Sequence, residues 1–225
     1  MGPQLRLRSF RVRYRPSAGL DSLLVDENVL VTTGGGRMIG SGFPEMLQDA
    51  RAGQEAAFAA IWRDLHPAVL RYLRVLTSGA AEDVASDTWV AVATSLDNFT
   101  GGEPEFRAWL FTVARRRAID HFRREARRPT ISVDPESLGS ISTDRAEDPG
   151  DAAIDAIATR AALAMIAALP PEQAEAVALR AIAGLDVAQV AVIMEKRPGT
   201  VRVLAHRGLR ELARRLSEEE RAVTP

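Results

Sequence analysis

The sequence predicts an all-α protein of two helical domains joined by a flexible linker, with a helix-turn-helix in the C-terminal domain. From about Pro44 onward, large apolar residues recur at steps of three and four, as on the buried faces of amphipathic helices. The pattern stops over residues 129–150, which are rich in proline, serine, glycine and aspartate and poor in large apolar residues. That composition is typical of a linker.

Charge is segregated along the chain although the formal net charge is only −1. Residues 106–128 carry eight arginines against two acids, and residues 196–215 carry seven basic residues against one acid. Residues 129–159 between them carry seven acids against one arginine. Two basic segments flanking an acidic one suggest two phosphate-facing surfaces and a solvated linker, although arginine-rich helix faces can also be merely solvated.

Several function classes are disfavoured by composition. The chain has no cysteine, and its three histidines, His66, His121 and His206, are scattered without carboxylates at ligand spacing. We therefore expect no metal and no cofactor. The absence of a Ser-His-Asp set and of a glycine-rich phosphate loop disfavours an enzyme. Without a long apolar segment or a secretion signal, we expect a cytoplasmic protein that does not bind membranes.

The first forty residues differ from the rest. Arginines alternate with apolar residues, and a run of glycines at 34–36 then breaks the pattern. With no second strand for pairing, we expect a disordered extension. We also expect residues 1–37 to be dispensable, with Met38 or Val29 as alternative starts.

In the N-terminal domain, apolar residues from Phe58 to Leu76 predict two abutting helices, separated at Pro67. A further helix over 81–96 would bury one apolar stripe: Ala85, Trp89, Val92, Ala93 and Leu96. Its opposite face would then carry Asp83, Ser86 and Asp87. After a turn at 97–104, a helix over 105–126 would bury Phe106, Trp109, Leu110 and Val113 and present arginines in its C-terminal half.

In the C-terminal domain, helices are predicted over 151–168, 171–183, 186–194 and 198–216. The last two have the form of a helix-turn-helix: Asp186 caps the shorter helix, and Pro198 suits the first turn of the longer one. Spacing alone would equally fit an ordinary helical hairpin. The arginines of the longer helix favour major-groove binding.

Three blocks together resemble the extracytoplasmic-function (ECF) sigma factors of bacterial RNA polymerase. Gly199-Thr200-Val201-Arg202 and His206-Arg207, after Leu169-Pro170-Pro171-Glu172-Gln173, resemble the family's fourth region, which binds the −35 promoter element. Ala81-Glu82-Asp83-Val84 and Asp87-Thr88-Trp89 resemble the helix that grips the clamp helices of the polymerase β′ subunit. Phe106-Arg107-Ala108-Trp109-Leu110 and the run from Ala118 to Arg124 resemble the part that opens and reads the −10 element.

The resemblance implies three sets of contact residues. Core polymerase would be bound by Asp83, Ser86 and Asp87. The −10 DNA would be bound by Asn98, Phe99, Arg115, Arg116, Arg117, Arg123, Arg124 and Arg127, where Asn98 and Phe99 would receive a flipped base and the arginines would bind phosphates. The −35 DNA would be bound by Arg197, Thr200, Arg202, Val203, His206 and Arg207.

The sequence departs from the family pattern at some of these positions. Ser86 replaces a glutamine that is usual in the clamp-binding helix, and Arg116 replaces an asparagine that is common in the −10 helix. Glu195 replaces a glycine that is usual in the turn of the helix-turn-helix, at a cost of about 1 kcal/mol if its backbone is left-handed. Val203-Leu204 replaces a Ser-Arg pair, which would shift base preference towards apolar contact with thymine methyl groups.

The implied organisation is a disordered extension (1–40), a region 2 domain (41–128), an acidic linker (129–152), a region 4 domain (153–218) and a tail (219–225). The implied partners are core RNA polymerase, through its β′ clamp helices and β flap, promoter DNA, and an anti-sigma factor whose identity the sequence does not reveal. A two-domain helix-turn-helix regulator that binds DNA without core polymerase is the alternative. It leaves the acidic helix and the −10 block unexplained.

Overall fold

A computed structural model describes residues 40–77, 79–127 and 151–223. The predicted disorder of the N-terminal extension and flexibility of the linker fall on residues 1–39 and 128–150, outside this described part. The described helices belong to one compact unit. None of them is both long and apolar enough to cross a membrane.

Eight α-helices make up the described part of the chain. In order they are α1 (Phe43–Arg51), α2 (Glu55–Leu76), α3 (Ala81–Ser95), α4 (Glu103–Glu125), α5 (Asp151–Ala167), α6 (Pro171–Ala181), α7 (Val187–Ile193) and α8 (Pro198–Val223). Short 3-10 turns lie at Gly40–Gly42 and Leu96–Asn98. The all-α prediction is confirmed, and the predicted helix ends agree with the structure to within a few residues, except that α8 extends further.

The prediction of two helices separated at Pro67 is wrong, because α2 runs without a break from Glu55 to Leu76. Proline removes one backbone hydrogen bond and usually kinks a helix. Here Pro67 lies on the exposed side, whereas Leu65, Ala68 and Val69 are buried on the other side. Packing of the buried side holds both halves of α2 in line.

The core of the N-terminal domain forms where α2 packs against α3 and α4. Tyr72 of α2 and Phe106 and Phe111 of α4 are fully buried. The predicted stripe of α3 is also buried, except for Ala93, which is exposed. Burial of this stripe directs the opposite face of α3 towards solvent.

The C-terminal helices pack closely where α6 crosses α8. A Cβ atom on Gly208 of α8 would lie 2.7 Å from Cγ2 of Val177 on α6, so only glycine fits this crossing. Val201 of α8 is fully buried. These contacts fix which face of α8 is exposed.

Candidate nucleic-acid interface

The acidic face of α3 is exposed as predicted. Asp83, Ser86 and Asp87 all face solvent, opposite the buried Val84 and Trp89. The Ser86 hydroxyl donates a hydrogen bond to the Glu82 carbonyl, 3.0 Å away. The two aspartates lie one helical turn apart and can therefore be contacted by a single partner helix.

Next to this face lies an open groove, here called the arginine groove. It is lined by Asp87, Val90, Arg117, Asp120, Arg123, Arg124 and Arg127. Nη2 of Arg124 lies 3.3 Å from Oδ2 of Asp87, and Nη1 of Arg123 lies 3.8 Å from Oδ1 of Asp120. One candidate polymerase-binding residue, Asp87, and four of the candidate −10 DNA-binding arginines thus line the same groove. Two of its four arginines are partly neutralised by carboxylates.

Arg115 lies apart from the arginine groove. Its Nε donates to Oε1 of Glu175 on α6 over 2.6 Å, and the Tyr72 hydroxyl donates to the same oxygen over 3.3 Å. Burial raises the pKa of Tyr72 well above its usual value, and the Glu175 carboxylate adds to this rise. Arg115 is therefore held by an internal carboxylate in this structure, and binding a DNA phosphate would require it to release Glu175.

The segment between α3 and α4 presents Asn98 and Phe99 very differently. Asn98 is exposed, whereas Phe99 is only 7% exposed. The Phe99 ring packs against Phe106 and Trp109, with centroids 5.2 Å from each. In this conformation only Asn98 can meet a base, and stacking on Phe99 would require the ring to leave the core.

The helix-turn-helix is built from local hydrogen bonds. The Gln189 backbone N–H donates to Oδ1 of Asp186 over 2.8 Å, and the Gln189 side chain accepts from the Asp186 N–H over 2.9 Å. This capping box confirms the predicted start of α7. After α7, the Lys196 N–H donates to the Ala191 carbonyl and the Glu195 N–H to the Val192 carbonyl, which is a Schellman turn.

Glu195 has φ +56° and occupies the left-handed position of this turn. Because a Cβ atom is disfavoured there, we expect Glu195→Gly to raise the free energy of unfolding by about 1 kcal/mol. Glu195→Ala is the matched control, since it removes the carboxylate but keeps the Cβ atom. Urea denaturation measures the free energy of unfolding of both variants. Equal stability of the two variants would show that the left-handed backbone costs nothing.

The outer face of α8 and of the turn before it carries every residue predicted to bind −35 DNA. All six are exposed: Arg197, Thr200, Arg202, Val203, His206 and Arg207. Further along α8, Arg214 and Arg215 are bound to Glu211 at 2.7 and 2.8 Å, and they lower the pKa of that carboxyl to about 2. The basic surface available to DNA is thus concentrated in the first half of α8.

Residues that sequence reasoning missed include Glu175 and Arg51. Glu175 binds Arg115 across 60 positions of sequence, and Arg51 donates to backbone carbonyls 45 and 48 positions away. No local pattern reveals such partners. The Arg214–Glu211 and Arg215–Glu211 pairs, in contrast, follow from helical spacing and could have been found.

His66 anchors α3 to α2. Its Nδ1 accepts a hydrogen bond from Trp89 Nε1 over 3.1 Å, and its ring stacks on Trp62 with centroids 4.4 Å apart. Burial lowers the pKa of His66, and Arg74 adds to this effect while Glu82 opposes it. Nδ1 can accept this bond only when it carries no proton.

We expect this anchor to weaken in mild acid. The unfolded chain takes up the His66 proton near pH 6.5, above the lowered pKa of the folded state. The stabilisation is therefore fully present above about pH 6.5 and is lost as the pH falls from that value through the folded-state pKa. Urea denaturation between pH 7.5 and pH 5 should give a steeper loss of stability for the unchanged chain than for His66→Gln. Parallel curves would rule out a contribution from His66.

Two family models match the chain. Sigma-70 region 2 matches residues 61–128, and Sigma-70 region 4 matches residues 159–212. The first covers α3, α4 and most of α2, and the second covers the helix-turn-helix.

Similar proteins cover most of the chain. The ECF RNA polymerase sigma factor SigL of Mycobacterium tuberculosis is 35% identical over 181 residues, which are 77% of this chain and 97% of SigL. The ECF RNA polymerase sigma factor BldN of Streptomyces coelicolor is 33% identical over 179 residues, 79% of this chain and 67% of BldN. In fold, the chain is similar to CnrH solved in complex with the cytosolic domain of CnrY, with a TM-score of 0.53, 21% identity, and coverage of 79% of this chain and 99% of CnrH. The matched regions and these identities show that the chain belongs to the family of ECF RNA polymerase sigma factors.

Proposed function

We propose that this sigma factor docks on core RNA polymerase through the acidic face of α3 and contacts promoter DNA through the arginine groove and α8. The observation that carries the proposal is the exposed Asp83–Asp87 face lying directly beside the arginine groove. A helix-turn-helix alone would need neither. Together they offer carboxylates to a protein partner and guanidinium groups to phosphates.

In this proposal the residues divide by task. Asp83, Ser86 and Asp87 bind the β′ clamp helices. Arg116, Arg117, Arg123, Arg124 and Arg127 anchor DNA near the −10 element, and Asn98 reads a base. On α8 and the turn before it, Arg197 and Thr200 lie at the leading end, and Arg202, Val203, His206 and Arg207 lie along the exposed face that would enter the major groove.

Arg115 and Phe99 remain predicted −10 contacts that depend on rearrangement. Arg115 would exchange Glu175 for a phosphate, and the Phe99 ring would leave its contacts with Phe106 and Trp109. An anti-sigma factor remains a partner predicted by the family resemblance.

We also propose residues 41–128 and 153–218 as the region 2 and region 4 domains, with contact between the β flap and the latter. Sigma factors are non-enzymatic initiation factors, and for this chain too we propose recognition without catalysis. Its site of action would be the cytoplasm, where core polymerase meets DNA.

Run-off transcription with core polymerase from the source organism over a promoter library tests the proposal. We expect transcripts from a defined set of promoters only when both the chain and core polymerase are present. Sequence-specific DNA binding by the chain alone, without promoter-directed transcripts, would favour the helix-turn-helix regulator instead. The promoters selected also define the DNA for the tests below.

A further inference from the structure

Arg51, the last residue of α1, holds the loop that carries Asn98. Its Nε donates to the Leu96 carbonyl over 3.2 Å, and its Nη2 donates to the Phe99 carbonyl. The two carbonyls flank Asp97 and Asn98 in sequence. One guanidinium thus ties together both sides of the segment that exposes Asn98.

Helix α1 and the 3-10 turn before it are firmly attached to the same region. Phe43 is 1% exposed and its ring centroid lies 5.3 Å from that of Phe106. The Gly40 backbone N–H donates to Oε2 of Glu103 over 3.0 Å, at the start of α4. The guanidinium of Arg51 is therefore presented by a helix that packs on the domain core. This helix precedes the residues matched by the region 2 model.

A side-chain amide discriminates among bases only when its donor and acceptor are held in the correct direction. The direction of Asn98 depends on the backbone between the two carbonyls that Arg51 binds. Arginine suits this task because its planar group donates from two nitrogens in a fixed geometry, which lysine does not do.

We propose that Arg51 is a positioning residue for promoter specificity: it orients Asn98 for reading the −10 element without touching DNA itself. This inference rests on the proposed role of the loop in the −10 contact. It adds α1 to the elements that determine specificity for the −10 element.

The test measures base discrimination by holoenzyme, assembled from core polymerase and full-length variants, on selected promoters and on versions substituted at each −10 position. We expect Arg51→Ala to reduce discrimination at one −10 position roughly tenfold, within the range of one lost bidentate base contact. Discrimination at the −35 element should not change. Arg51→Lys should restore little, because it keeps the charge but not the paired donors.

Arg63→Ala is the matched control. Arg63 is also an exposed arginine, but its Nε donates to the Ala59 carbonyl within α2, one turn away. The Arg63→Ala variant should leave base discrimination at the −10 element unchanged. Melting temperatures are measured for all variants, and if Arg51→Ala fails to fold, Arg51→Lys, which keeps the aliphatic stem, decides the question.

Asn98→Ala separates failure of this inference from failure of the proposed function. If Asn98→Ala loses discrimination and the double variant with Arg51→Ala loses no more, Arg51 acts through Asn98. If Asn98→Ala loses discrimination while the Arg51 variants keep it, the positioning role is wrong. If no Asn98 or Arg51 variant changes discrimination, the loop does not read the −10 element.

Discussion

Reversing the charges of both Asp83 and Asp87 to arginine should weaken binding to core polymerase by about 3 kcal/mol, or roughly 100-fold in dissociation constant, if each carboxylate makes one charge-assisted hydrogen bond. Both side chains are exposed on α3, away from the buried Trp89 stripe. Helicity should therefore not change. Binding is measured by titrating labelled core polymerase, and helicity by circular dichroism.

Two controls make this result specific. Glu45→Arg/Glu55→Arg changes the charge equally at exposed positions of α1 and α2 and should bind core polymerase normally. Arg124→Ala removes the 3.3 Å contact to Asp87 without touching the aspartates, which separates loss of this internal pair from loss of the polymerase contact. Full-strength binding by the double aspartate variant would exclude the acidic face of α3 as the docking surface.

Replacing Arg202 or Arg207 by alanine should weaken recognition of the −35 element by about 1–3 kcal/mol, the value of one bidentate base contact. Both arginines are exposed, and in the described part of the chain neither forms an ion pair of 4.0 Å or less. Their donors are thus available to DNA. The loss should appear with the matched −35 element and be small with a scrambled one.

Two other arginines serve as controls that distinguish base recognition from phosphate binding. Arg214→Ala removes the same charge from α8, but Arg214 is bound to Glu211 at 2.7 Å and Glu218 at 2.5 Å, so its loss should have little effect on DNA. Arg127→Ala should weaken binding to all DNA sequences alike. It should also reduce by about 1 the slope of the logarithm of the binding constant against the logarithm of the salt concentration. Equal losses on matched and scrambled −35 elements would show that Arg202 and Arg207 contact only phosphates.

Much of the local structure was predictable because it depends on neighbours in sequence. Asp186 and Gln189 form a capping box three residues apart, and burial of Trp89 places Asp83 and Asp87 on the other face of the same helix. The family resemblance places Glu195 where a turn glycine is usual, and its backbone is left-handed there, with φ +56°. Such features depend on helix geometry alone.

Other predictions failed or were incomplete where distant packing decides the outcome. Pro67 does not end its helix, because buried residues on both sides of it pack into one core. Phe99 was expected at the DNA surface, but neighbours at Phe106 and Trp109 enclose its ring. A turn-like sequence does not reveal which way its aromatic residue points.

The sequence by itself therefore determined the helical class, the helices from α3 onward, the Asp186 cap of α7 and the exposed faces of α3 and α8, since each depends on spacings of three or four residues. Only the tertiary structure decided how the charged groups are paired. Arg115 binds Glu175, Arg124 meets Asp87 and Arg51 holds the carbonyls around Asn98, all across 37 or more positions. Ionic and backbone partners at such separations are set by the path of the chain through the core, which no local pattern encodes.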